Sequence, residues 1–150
     1  MPTMKPSATF ARLLLPTLMA LLALLAGLGH AATDERVVVI THPGVPRPDA
    51  TALRRIYTGR MIELGGLMLV PINARSGQAS RDRFLQAYLE QDEEKYLAYW
   101  TVRRYIGKGM PPRELASPAE IIHFVQSTPG AIGYIDASEL RPGLPVTVLR

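Results

Sequence analysis

The stretch 70–84, VPINARSGQASRDRF, changes character twice. Its opening completes an apolar run over 66–73, GLMLVPIN, which reads as a strand. Pro71 marks an end or bulge of that strand, because proline has no N–H to give a ladder. Its close opens a helix from about Ser80 to Leu89, where Phe84, Leu85, Tyr88 and Leu89 recur at helical spacing. Between the two lie small polar residues and a glycine. A strand that feeds a helix through a short loop is a βα unit, and it sets the fold class as α/β.

The same loop carries a chemical reading. Short glycine-containing loops expose backbone N–H groups, and a helix start adds partial positive charge, so together they suit an anion. Ser76 and Ser80 offer hydroxyl donors, and Arg75, Arg81 or Arg83 a charge-assisted fork. The alternative is a plain helix start, in which Ser76 or Ser80 caps the helix and the arginines are solvated.

Upstream, RVVVIT (36–41) is β-branched and apolar, as a buried strand is. After the proline-rich HPGVPRPDA, Asp49 caps a short helix over 50–58 that buries Leu53, Ile56 and Tyr57, with Gly59 past its end. Downstream, Asp92 caps a helix with Glu93 and Glu94 in its first turn and Arg103 and Arg104 in its last, the arrangement the helix dipole favours. Its apolar positions are Tyr96, Leu97, Trp100 and Ile106, and Gly107 ends it. SPAE (117–120) gives a serine cap, a proline at the first position and a glutamate at the third. That helix is expected to bury Ile121, Ile122, Phe124 and Val125. TPG stops it, AIGYI is a buried strand, and PVTVL (145–149) a last one. The order β-α-β-α-α-α-β-β predicts a three-layer α/β sandwich with a mixed, partly parallel sheet.

Residues 1–31 read as a cleavable signal peptide. Lys5 and Arg12 precede an almost wholly apolar stretch from Leu13 to Leu28, and Gly29 and Ala31 are the small residues a signal peptidase needs. The apolar run falls short of the roughly 20 residues that span a bilayer. Residues 32–150 then make one domain, and the expected location is the periplasm. Two of the 17 Lys and Arg residues lie in the signal, so the rest of the chain is nearer neutrality than the overall charge of +4. That balance, with export, argues against nucleic acid. The chain has no cysteine, which leaves no disulfide, no thiolate metal site and no N-terminal lipid anchor.

Chemistry beyond binding has little to stand on. His42 and His123 are far apart with no acidic cluster beside them, so no metal or cofactor is expected. There is no G-x-S-x-G or S-x-x-K, and the paired carboxylates read as solvated or as helix-start charges. No catalytic constellation emerges.

Three separated stretches share a resemblance. LRRIYTGR (53–60), VPINARSGQASRDRF (70–84) and TPGAIGYID (128–136) are similar, in order and spacing, to segments of the periplasmic phosphate-binding proteins of ABC importers, which have a type 2 periplasmic-binding-protein fold. The resemblance covers about residues 36–136. It implies one lobe of that fold, with phosphate or a similar oxyanion held at Arg75, Ser76, Gly77, Gln78, Ala79 and Ser80, and a membrane transporter or sensor as partner. The family's loop is one residue longer, and Gln78 and Ala79 stand where it has a Ser-Gly pair. The resemblance also places a second anion loop after the first strand, where only Thr41 and Gly44 suit. The chain is about half as long as family members, so one lobe is expected. Three functions follow: an exported non-enzymatic oxyanion-binding protein, an interaction or sensory module that kept the lobe and lost tight capture, and a small exported hydrolase that no motif supports. The oligomeric state is left open.

Overall fold

Strand β1 (Val37–Thr41) shows why this sheet is mixed. Its β-branched residues are buried on both faces from Val38 onward, as an interior strand requires. It runs antiparallel to β6 (Ala131–Asp136) on one side and to β7 (Thr147–Leu149) on the other. Strand β4 (Val70–Ala74) is parallel both to β6 and to β5 (Arg113–Leu115). The five-stranded order is β5-β4-β6-β1-β7. This computed structural model describes residues 35–149. The expected signal peptide over 1–31 lies outside the described residues.

The two sheet faces are covered differently, which gives the three layers. Helix α4 (Pro118–Ser127) packs where β6 has Gly133; a Cβ there would stand 2.7 Å from Ile121 Cγ2 and 3.2 Å from Val125 Cγ2. The opposite face is aromatic. Tyr57 of α1 (Ala50–Tyr57), Phe84 of α2 (Ala79–Phe84) and Tyr134 of β6 meet there. The Phe84 and Tyr134 rings stack 3.9 Å apart at 3°, and Tyr57 tilts against Phe84 at 4.6 Å. The Tyr57 hydroxyl donates to the carbonyls of Ile72 and Ile132, which satisfies a polar atom in the core. Gly130 carries φ +81°, and a Cβ on it would fall 2.0 Å from the Met68 carbonyl oxygen. The PGAIG run is thus shaped by close packing at both of its glycines.

The predicted caps hold. Asp49 accepts from the Ala52 N–H, Asp92 from Lys95 and Ser117 from Glu120. Other expectations need correction. The single strand expected over 66–73 is two, β3 (Leu67–Met68), which pairs in a hairpin with β2 (Glu63–Leu64), and β4. Gly65 and Gly66, both with positive φ, make the turn. Pro71 sits inside β4 without a bulge. The Val70 N–H donates to Gly130 beside β6, so the Pro71 nitrogen faces the β5 side, where pairing begins only at Ile72. The predicted helix over 80–89 is α2 followed by a π-helical turn, Leu85–Leu89, closed by Glu90 in the left-handed region. Helix α3 (Glu93–Tyr105) buries Tyr96 and Trp100 but leaves Leu97 48 % and Ile106 57 % exposed, because only a narrow side of it meets the core. In α4, Ile122 and Phe124 are half-buried, not buried. Strand β5 was not foreseen: three residues give no readable alternation.

Candidate functional site

The loop that leaves β4 turns tightly before α2. The Gln78 N–H donates to the Arg75 carbonyl at 3.2 Å, and Gly77 takes φ +87° at the third turn position, which favours glycine. The Arg75 N–H donates to Leu115 of β5 at 3.0 Å. The Gln78 side-chain amide donates to the Ala116 carbonyl at 2.6 Å, so this side chain anchors the loop to the segment after β5. Gln78 is also the N-cap of α2 and makes no side-chain cap bond. Neither Ser76 nor Ser80 caps this helix. Among the described residues, the N–H groups of Gly77, Ala79 and Ser80 have no protein acceptor, and the Ser80 hydroxyl, on a residue 7 % exposed, has no protein partner. Arg75, Ser76, Gly77 and Ala79 are exposed. The six sequence-predicted residues are therefore together, but with unequal freedom to meet a ligand.

Beneath the loop lies a cluster that sequence reasoning missed. Arg81 is 1 % exposed. Its Nε donates to Glu93 at 2.7 Å, and its Nη1 donates to Glu114 at 2.5 Å and to the Ala74 carbonyl at 2.9 Å. Its guanidinium also lies 5.6 Å from the Tyr96 ring centroid. Burial by itself would lower the Arg81 pKa, but the hydrogen bonds and charges of Glu93 and Glu114 outweigh it and the pKa is raised. Ser76 is drawn into the same cluster. Its hydroxyl donates to Glu93 at 2.8 Å, and its N–H points at Glu114 at a long 3.5 Å. One cation thus meets two carboxylates beside the loop, and the loop itself adds the exposed Arg75, so charge here is close to balanced. Arg83, the third candidate arginine, pairs with Asp136 at 2.9 Å instead.

A sequence signal for the cluster did exist. Arg81 precedes Phe84 and Leu85 by three and four residues, the spacing of one helix face, and both are fully buried. Glu93 read as a helix-start charge, and Glu114 sits on the unforeseen β5.

The second expected anion loop does not join this one. Thr41 is fully buried and pairs with Ile132, level with the start of β4. Because β1 runs against β6 while β4 runs with it, the end of β1 and the loop after β4 lie at opposite ends of the sheet.

A buried polar network supports β4 from below. The Asn73 amide donates to the Tyr96 hydroxyl at 3.1 Å, which donates to the Tyr57 carbonyl at 3.0 Å. The Tyr134 hydroxyl accepts from the Ala74 N–H and donates to Asn73 Oδ1. Burial is the main cause of raised pKa values at Tyr57, Tyr96 and Tyr134, so all three stay neutral donors.

By sequence the chain matches no family model and no curated protein. By structure it is similar to an ABC-type phosphate transport receptor from Vibrio cholerae (TM-score 0.52, 12 % identity). It is similar too to a putative phosphate ABC transporter substrate-binding protein with bound phosphate from Clostridium perfringens (TM-score 0.59, 20 % identity). A third neighbour is PstS from Borrelia burgdorferi (TM-score 0.57, 19 % identity). The matches cover 76–77 % of this chain and 44–46 % of the other. The chain therefore shares its fold with part of these proteins and spans less than half of their length. The fold class expected from the sequence is borne out.

Proposed function

We propose that this is an exported, non-enzymatic binding lobe that takes phosphate or a similar small oxyanion at the loop 75–80 and works beside a membrane transporter. One observation carries the reading. The start of α2 lacks a side-chain cap, and three N–H groups and the Ser80 hydroxyl are left without protein partners at the end of a parallel strand. The fold of the phosphate-binding neighbours, one of them holding phosphate, supports the ligand class.

The same geometry sets the strength. Glu93 and Glu114 repel a dianion, while a protonated oxyanion can donate to a carboxylate. Arg75, Ser76, Gly77 and Ala79 are exposed to water. Binding is expected on the order of millimolar, about −4 kcal/mol, with phosphate preferred to sulfate near neutral pH. Titrating the isotopically labelled protein with phosphate and with sulfate, and following the Gly77, Ala79 and Ser80 amides by NMR, tests this. Unmoved amides with every oxyanion would end the proposal.

A second reading, an interaction or sensory module without ligand capture, draws on Arg81 being already taken up by Glu93 and Glu114. Glu114→Gln separates the two. It narrows the preference for phosphate over sulfate if the loop is a working site and changes nothing if the loop is vestigial.

A further inference from the structure

Helix α3 and the turn after it form a surface that the oxyanion loop does not use. Of the large apolar side chains exposed among the described residues, four fall within nine positions: Val102, Tyr105, Ile106 and Met110, exposed by 60, 91, 57 and 66 %. Val102, Tyr105 and Ile106 stand three and four residues apart, so they share one helix face. The buried stripe, Tyr96 and Trp100, lies on another. The turn folds back instead of trailing away. The Lys108 N–H donates to the Arg103 carbonyl at 2.8 Å, and the Arg103 side chain donates to the carbonyls of Lys108 and Gly59. Met110 then lines a groove of about 270 Å³ together with Ile62, itself 64 % exposed, so the apolar surface reaches the hairpin.

On the helix end and turn, charge has one sign, while Glu63 stands beside Ile62 at the hairpin. Residues 96–112 contain Arg103, Arg104 and Lys108 and no carboxylate. Arg60 joins them, because its guanidinium and that of Arg103 both lie over the Tyr99 ring, at 5.8 and 5.7 Å. Exposed tyrosine, isoleucine and methionine beside arginine and lysine is the composition of an interfacial anchor: apolar groups enter the headgroup boundary while cations meet anionic headgroups.

We propose that the end of α3 and the turn through Met110 dock on an anionic phospholipid bilayer, with Tyr105, Ile106 and Met110 as the inserted side chains and Arg104 and Lys108 as the headgroup contacts. Lipid fits better than an acidic protein because the apolar groups project at a helix end and turn, flanked by Arg104 and Lys108, and a bilayer needs no matching surface. The proposal is independent of the oxyanion site.

The test uses the full chain carrying Tyr105→Trp. Trp100 is 4 % exposed and supplies a constant buried signal. Vesicles of phosphatidylglycerol and phosphatidylcholine should shift the emission of the new tryptophan to the blue, and brominated acyl chains should quench it. Pure phosphatidylcholine should leave it unchanged. Arg104→Glu with Lys108→Glu should weaken the response by about tenfold or more, and Ile106→Ser with Met110→Ser should abolish quenching. Near-UV circular dichroism checks that these surface variants stay folded. Residues 1–31 are common to every variant, so differences report the patch. Emission that is unmoved by anionic vesicles overturns the proposal. So does an equal shift on phosphatidylcholine, or a response indifferent to charge reversal. A shift caused by polyglutamate or by raising protein concentration, and not by vesicles, assigns the patch to a protein partner or a second copy.

Discussion

Replacing Arg81 by methionine gives the sharpest check on the site's physical account. The change keeps most of the side-chain volume and removes the charge. Arg81 is 1 % exposed and holds two carboxylates and a backbone carbonyl. Breaking a buried ion pair by removing one partner costs about 3–5 kcal/mol, mainly because a charge is left uncompensated. Here the abandoned groups are less buried: the Glu93 and Glu114 side chains are 23 and 41 % exposed and can regain water. The loss should therefore lie near the lower limit, about 3 kcal/mol. That is a large part of the roughly 5–15 kcal/mol that holds a domain folded. It should lower Tm by about 10–20 °C. Urea and thermal unfolding followed by circular dichroism measure it. Adding Glu93→Gln and Glu114→Gln should recover most of the loss, since the like charges left facing each other are then neutral. A single-variant loss below about 1 kcal/mol, the range of a surface pair, would refute the reasoning. So would a triple variant no more stable than Arg81→Met.

Further outcomes follow from other contacts. Gly130→Ala should abolish soluble expression, because it combines a positive φ with a Cβ 2.0 Å from the Met68 carbonyl oxygen. Gly133→Ala meets only side chains, at 2.7 and 3.2 Å, and should cost about 1–3 kcal/mol in urea unfolding. Tyr134→Phe strands the Ala74 N–H and Asn73 Oδ1, and about 1–3 kcal/mol should be lost in the same assay. Asp92 has its pKa lowered from 3.8, chiefly by the hydrogen bond from the Lys95 N–H. Its ionised form is thus the stabilising one: the contribution is present above pH 3.8 and disappears as pH falls through the lowered native value. Asp92→Asn should flatten the acid limb of the stability curve and leave the limb above neutrality unchanged.

Much of the chain's local structure was legible. The caps at Asp49, Asp92 and Ser117 are short-range hydrogen bonds between a side chain and an N–H three residues on, so the sequence holds both partners in one window. The burial of Leu53, Ile56 and Tyr57 follows from helical spacing. Less was legible where elements are short or lie at the surface. Strands of two or three residues, such as β2, β3 and β5, have no period to read. The exposure of Leu97 and Ile106 depends on what α3 packs against, which no local pattern states.

The sequence by itself determined the class of fold, the βα loop at 75–80 and the glycine-bound turn into β6, because propensity, periodicity and capping act over a few residues. Only the tertiary structure decided what surrounds that loop. Glu93 and Glu114 reach Arg81 from 12 and 33 residues away, and the second of them only because β5 pairs beside β4. The reversed direction of β1 moved Thr41 to the other end of the sheet. Charge partners and strand direction are set by which elements become neighbours. They turned a stretch that reads as rich in arginine into a loop whose buried cation is already neutralised.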